Sequence, residues 1–249
     1  MYFQEEIKEL NDNLQAFPKS ENIFVENQAW LGEHFLPLIS INLAELRPEW
    51  QGQTLHLLCP IEPYEGYIGD ETKDFHNEFT APNWLAFRLT DDNRYEFLGK
   101  EGYFLRSPLH SKNWDEDDKN YFQEMFDTYA QSKAQVAKDG FLIFPGSKPF
   151  RGKPNITNFL DKLGGEIWHG NWTTTQVPSA FKMTLPPAGT SWEELDKMPN
   201  NGIEISYKGN PFFMIGEVAG YNYCGGGADA IILLYEPVSR IVLFTFEFS

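Results

Sequence analysis

The chain holds only two cysteines in 249 residues, Cys59 and Cys224, far apart in sequence. That spacing calls for neither a disulfide framework nor a thiolate metal site, and a reducing cytoplasm is the simpler expectation. Histidines are as sparse: His34, His56, His76, His110 and His169. No two fall four apart on a helix, and His-Glu-x-x-His is absent. Asp70, Glu71, Asp74 and His76 stand close together but lack the spacing of a calcium loop, so they read as a solvated loop. No metal and no cofactor is expected. No apolar run approaches the length of a membrane span, about 18 residues. Glu5, Glu6, Lys8 and Glu9 occupy the place where a secretion signal needs an apolar stretch. The expected setting is soluble and cytoplasmic, with no membrane partner. Basic residues are scarce, 20 against 36 acidic ones, and they never cluster with aromatics as nucleic-acid binding requires. Gly-x-Ser-x-Gly is missing, and the serines, histidines and aspartates are scattered, so no catalytic triad has support. No fixed-period repeat is evident.

What the chain does have is aromatic side chains and negative charge. Aromatics make up 16% of it, with 21 Phe, 11 Tyr and 7 Trp, which argues for a packed core. The length is enough to bury roughly three quarters of the unfolded surface without staples. The net charge is −16 and is unevenly placed. Residues 1–127 carry 25 acidic and 10 basic side chains, net −15, and residues 128–249 carry 11 and 10, net −1. Such a field repels nucleic acid and speeds encounter with cationic partners, although it also serves plain solubility.

Ile7, Leu10 and Leu14 fall on one helical face, so residues 3–16 are expected to be a short amphipathic helix ended by Pro18. Strands are expected over 23–30, 35–41, 53–59, 84–89, 95–98, 102–105 and 141–144. Asp91-Asp92-Asn93 is the turn of the 84–98 hairpin. Residues 114–138 form the clearest helix. Asp115 caps it, Glu116, Asp117 and Asp118 suit its positive end, and Gly140 follows its last turn. A loop covers 145–154, and a short helix is expected over 155–163. Thr173–Ala188 is extended, and Ser191 with Glu194 makes a capping box. Four strands close the chain over 203–207, 212–218, 230–235 and 241–248, and their short connections favour antiparallel pairing. These elements give an α+β fold, largely antiparallel β-sheet with a few flanking helices, in a single domain over 1–249. If the domain has two similar halves, they join near 145–154.

Gly225-Gly226-Gly227 looks like a phosphate cradle, but the glycines lead into a strand and no Gly-Lys-Ser/Thr follows. A hairpin or a close backbone crossing explains them better. Cys224 with a distant His169 imitates a Cys–His pair, yet a buried thiol before a core strand is the commoner case. Trp168, His169 and Trp172 surround a Gly-Asn turn and could form a concave aromatic surface with Tyr221 and Tyr223. Core packing is the competing explanation for both stretches.

Three stretches together resemble the bacterial YwqG-like family. They are Leu36-Pro37-Leu38-Ile39-Ser40-Ile41-Asn42-Leu43-Ala44-Glu45-Leu46, then Leu163-Gly164-Gly165, then Phe213–Val218 leading through Gly225-Gly226-Gly227 to Ala230–Tyr235. The resemblance implies an α+β fold with extensive antiparallel sheet. It brings no established activity and no catalytic residues. Related bacterial domains occur beside secreted toxins and serve as immunity proteins, so the resemblance also implies a toxin partner.

The expected function is therefore a non-enzymatic, cytoplasmic protein-binding protein whose partner is a basic protein such as a toxin. The partner-binding candidates are Asp70, Glu71, Asp74, Asp91, Asp92, Asp115, Glu116 and Asp117. The alternative is a small-molecule-binding protein or enzyme with a pocket near Trp168–Trp172 and Tyr221–Cys224, built from Trp168, His169, Trp172, Tyr221 and Tyr223.

Overall fold

A computed structural model describes residues 2–112 and 114–248. Its strands are β1 (Phe3–Ile7), β2 (Leu14–Ala16), β3 (Phe35–Asn42), β4 (Thr54–Pro60), β5 (Trp84–Leu89), β6 (Tyr95–Phe97), β7 (Leu160–Gly164), β8 (Phe181–Thr184), β9 (Glu204–Tyr207), β10 (Asn210–Pro211), β11 (Phe213–Val218), β12 (Ala230–Glu236) and β13 (Ile241–Glu247). The helices are α1 (Glu116–Asp139), α2 (Trp192–Leu195) and α3 (Tyr221–Cys224), joined by several short 3-10 turns. The fold is α+β.

A seven-stranded sheet in the order β1-β7-β11-β12-β13-β5-β6 forms the middle layer, and every neighbouring pair in it is antiparallel. Strand alternation sends Ile231, Leu233 and Tyr235 of β12 to one face and Ile232 and Leu234 to the other. The first face packs on the sheet β2-β3-β4 and on α1, and the second on β8 and β9 of the sheet β10-β9-β8. Both faces are dry, which is why β12 and β13 are apolar at almost every position. Each such side chain contributes about 1.5–3 kcal/mol on full burial, so these two strands anchor the fold. The middle sheet draws β1, β5 and β6 from before residues 145–154 and the other four strands from after them.

Helix α1 starts and stops where its sequence signals stand. Asp115 Oδ1 accepts the Asp117 and Asp118 N–H groups at 2.9 and 3.0 Å, and Asp118 Oδ2 accepts the Asp115 N–H at 3.2 Å. Gly140, at φ 80°, closes the other end. Phe122 and Met125 enter the core, and the Tyr129 hydroxyl donates to Pro37 O of β3.

Five expected elements differ. Residues 3–16 form β1 and β2 rather than a helix. Leu10, on the supposed apolar face, is exposed, while Ile7 reaches the core through β1–β7 pairing. The helix expected over 155–163 is absent: Ile156 makes a single bridge to Ile143, and β7 (Leu160–Gly164), the partner of β1, takes up 160–163. Both errors have one cause: β1 has a mostly exposed face, and its pairing is set some 150 residues away in sequence. Residues 23–30 are 3-10 turns with one bridge from Phe24 to Tyr95. Residues 102–105 end a 3-10 turn, and 141–144 keep only the Ile143–Ile156 bridge. Of the four closing strands, β9 belongs to the outer sheet and not beside β11.

The triple glycine lies at a close crossing. It follows α3, and Gly227 has φ 93°. A Cβ on Gly227 would stand 2.9 Å from Cys59 Sγ. The two cysteines are buried free thiols with their sulfurs 3.8 Å apart.

Candidate functional site

The polypeptide leaves β4 through buried Ile61 and arrives at Glu62 while still inside the protein. A loop, 62–72, then climbs to the surface and is pinned along its length. Glu62 Oε2 accepts the Arg106 N–H at 3.0 Å. Asn83 N donates to Ile68 O at 2.9 Å, and the Thr72 hydroxyl donates to Tyr103 O at 2.6 Å. Gly69, at φ 77°, lies against Tyr103, and a Cβ there would enter that ring at 2.4 Å. Opposite this loop stands the first turn of α1, held by Trp114, whose ring N–H donates to Leu105 O at 2.6 Å.

Between loop and helix is a cleft of about 320 Å³. Six carboxyl groups line it: Glu62, Glu65, Asp70 and Glu71 from the loop side, Asp115 and Asp118 from the helix. Tyr64 and Tyr67 line it too. Only Asp70 of the six is in an ion pair, with Lys73 at 2.8 Å, among the described residues. Helix capping takes one oxygen each from Asp115 and Asp118. Tyr64 is half exposed, and its ring centre lies 5.4 Å from that of Tyr121. The Tyr121 hydroxyl in turn accepts the Gly227 N–H at 3.0 Å, so the glycine turn supports the cleft wall.

Glu62 is the unusual member. It is 3% exposed, and its Oε1 is buried with no hydrogen-bond partner. Burial pushes its carboxyl up from 4.5 to about 8, against the opposing pull of the Arg106 and Leu105 N–H groups and the Arg106 charge, and Asp118 adds to the rise. Glu62 therefore keeps its proton at neutral pH. Behind it, Arg106 lies 5.0 Å from the ring centres of both Phe122 and Phe126, with Nε and Nη1 unpartnered. His34 stacks on Phe104 at 4.5 Å, and burial, then Arg106, holds it neutral at about 3.

The cleft gathers three of the eight acidic candidates: Asp70, Glu71 and Asp115. Asp74 lines an adjoining hollow with Phe75 and His110. Glu116 and Asp117 are exposed on the first turn of α1 outside the cleft, and Glu116 pairs with Lys119 at 2.9 Å. Asp91 and Asp92 belong to the β5–β6 turn and are paired with Arg240 and Arg94, at 2.9 and 3.1 Å. Glu62, Glu65 and Asp118 were not among the candidates. A signal for Glu62 existed: it follows the mostly apolar run Leu57-Leu58-Cys59-Pro60-Ile61 without a turn residue other than Pro60, so its side chain starts inside.

The aromatic candidates do not meet in one pocket. Trp168 lines a separate cavity of about 520 Å³ with Phe3, Glu5, Lys162, Gly165, Glu166 and Asn201. Its ring N–H donates to Glu217, which also pairs with Lys162 at 3.0 Å. His169 donates from Nε2 to Asn201 O at 2.9 Å. Trp172 is fully buried, 5.6 Å from Trp84, and Tyr223 is fully buried with its hydroxyl donating to Phe159 O at 2.8 Å. Tyr221 is exposed on α3, away from the Trp168 cavity lining. Core packing accounts for Trp172 and Tyr223, so the expected joint pocket does not form.

Among the described residues, no three His, Cys, Asp or Glu side chains come close enough to hold a metal ion, and no helix is long and apolar enough to cross a membrane. No protein-family model, no curated protein and no solved structure matches this chain.

Proposed function

We propose that this chain is a protein-binding protein, without catalytic activity, that captures a basic protein partner at its acidic cleft. One observation carries the reading. Of the five cleft carboxyl groups other than the protonated Glu62, four lack an ion-pair partner among the described residues, while other acidic groups such as Asp91, Asp92 and Glu116 have one. Unpaired like charges held together repel one another, and an incoming cation relieves that repulsion. The one hydroxyl on the cleft wall outside the tyrosines, that of Thr72, is committed to backbone carbonyls and is not set up as a nucleophile. A toxin neutralised by this chain is the partner that the YwqG-like resemblance implies.

The test is capture from the native host at graded salt, with the chain and with a Glu65→Lys, Glu71→Lys variant. A basic protein should bind the chain, leave as salt rises, and fail to bind the variant. Binding that ignores salt, or that the variant keeps, overturns the proposal.

A second reading, small-molecule binding, is favoured by the cavity beside Trp168, whose 520 Å³ suits a small ligand. It predicts a ligand that changes tryptophan fluorescence in the chain and leaves the Trp168→Phe variant unchanged.

A further inference from the structure

The cleft has carboxylates on opposite walls, an aromatic rim and a buried acceptor without a partner, and these features discriminate among cations. We propose that the cleft receives one arginine side chain of a polypeptide, its guanidinium reaching Glu62 Oε1 between the walls and its flat face against Tyr64. The inference rests on the basic-partner reading and names the residue that the partner contributes.

A bare metal ion needs ligands that converge on a point. Here the carboxyl groups are spread around the cavity, and no three of them converge. A lysine ammonium is a compact, strongly hydrated charge, and Glu62, 3% exposed, offers it little water. A guanidinium is planar, less hydrated and rich in separated donors. The acceptors here are also separated: Glu62 Oε1 in the interior, and on the helix side the oxygens of Asp115 and Asp118 that capping leaves over. Tyr64 presents an exposed ring, backed by Tyr121, on which a guanidinium can stack. At about 320 Å³ the cavity is near the lower end for ligand pockets, suited to one side chain rather than a length of peptide.

Free arginine is the poorer ligand. Its α-carboxylate would enter a ring of carboxylates, whereas an arginine within a chain has none.

Binding also moves a proton. Glu62 faces Asp118 of α1, Arg106 with its N–H and charge, the Leu105 N–H and the Tyr103 hydroxyl, and the cleft adds Glu65, Asp70, Glu71 and Asp115. A guanidinium against Oε1 favours the carboxylate, so the Glu62 proton leaves to solvent as the complex forms.

The experiment titrates the chain with the blocked tripeptide acetyl-Gly-Arg-Gly-amide, its lysine and citrulline counterparts, and free L-arginine. Calorimetry in two buffers of different ionisation enthalpy counts protons, and amide NMR shifts locate the site. The arginine peptide should shift residues 62–72 and 115–118. It should bind about tenfold or more tightly than the neutral citrulline peptide and severalfold more tightly than the lysine peptide and free arginine. Near pH 7 it should release close to one proton. Glu62→Gln should weaken binding about tenfold and release none, and the exposed Tyr64→Ala should weaken it severalfold.

Equal binding of the lysine or citrulline peptide, shifts elsewhere, or a Glu62→Gln variant that binds like the parent overturns the inference. If free arginine binds more tightly than the peptide, the ligand is the amino acid, and the polypeptide assignment fails. A salt-sensitive basic partner without arginine selectivity defeats this inference and leaves the basic-partner reading standing. Arginine selectivity without any basic protein partner does the reverse.

Discussion

Replacing Glu62 by glutamine removes a carboxyl that the fold can ionise only at a cost, and keeps a carbonyl oxygen for the Arg106 N–H. The wild-type carboxyl titrates near 4.5 when exposed and at about 8 when buried, so between those values the folded chain holds a proton that the unfolded chain has lost. The stability this proton brings is whole below pH 4.5 and lost as pH rises through 8. Each pH unit inside the window costs about 1.4 kcal/mol, so between pH 5 and 7.5 the wild type loses about 3 kcal/mol through this one group. Glutamine does not titrate. The difference in unfolding free energy between variant and wild type should therefore move by about 3 kcal/mol in favour of the variant over that interval. Urea denaturation at a series of pH values measures it, and groups common to both proteins cancel in the difference. A difference that stays constant with pH would mean that Glu62 ionises in its ordinary range, and the account of the buried carboxyl would fall.

The acid side should show the opposite slope. His34 and His56 are held neutral by burial, down to about 3 and about 4, so their contribution is whole above pH 6.5 and lost as pH falls towards those values. His56 Nε2 donates to Asn93 O at 3.0 Å, which leaves Nδ1 to accept from Ser40 at 2.8 Å, and the imidazole NMR signals of both residues should not titrate between pH 8 and 5. Asp115→Ala removes the capping box and should cost about 1 kcal/mol, a fall in Tm of about 2–4 °C by calorimetry. Gly227→Ala meets both a φ of 93° and the Cys59 sulfur, and should cost about 2 kcal/mol, of which a second change, Cys59→Ala, restores only the part due to the clash. Both thiols are buried, so a thiol reagent should label them in urea and not in the folded chain.

What the sequence makes legible is what local physics controls. Helix α1 carries its cap, its stripe and its terminal glycine within its own residues, and it appears with limits within two residues of those read. Strands β3, β4, β5, β12 and β13 are apolar or alternating runs bounded by turns, and they appear as well. β1 and β7 are legible only as a pair, because each lends the other its hydrogen bonds across the length of the chain. The site divides in the same way. The excess of acid in the first half is a matter of counting, but the cleft selects from it by folding. It keeps Asp70, Glu71 and Asp115, leaves Asp91 and Asp92 to their arginines, and adds Glu62, which no charge count would single out. The tryptophans mislead for a related reason: Trp168 and Trp172 are four residues apart, yet one lines a cavity and the other fills the core.

The place of β13 in the middle sheet sets an order on synthesis. It lies between β12 and β5, and β5 is translated about 150 residues earlier. Until β13 emerges, the β5–β6 hairpin has one open edge and no sheet to join, although the loop and helix around the cleft have already been made. A ribosome stalled before residue 241 would hold a chain with every carboxyl group of the cleft and with β5 lacking its β13 partner. Truncation before residue 241 should therefore destabilise the middle sheet around β5, far in sequence from the break, and circular dichroism of the shortened chain measures it.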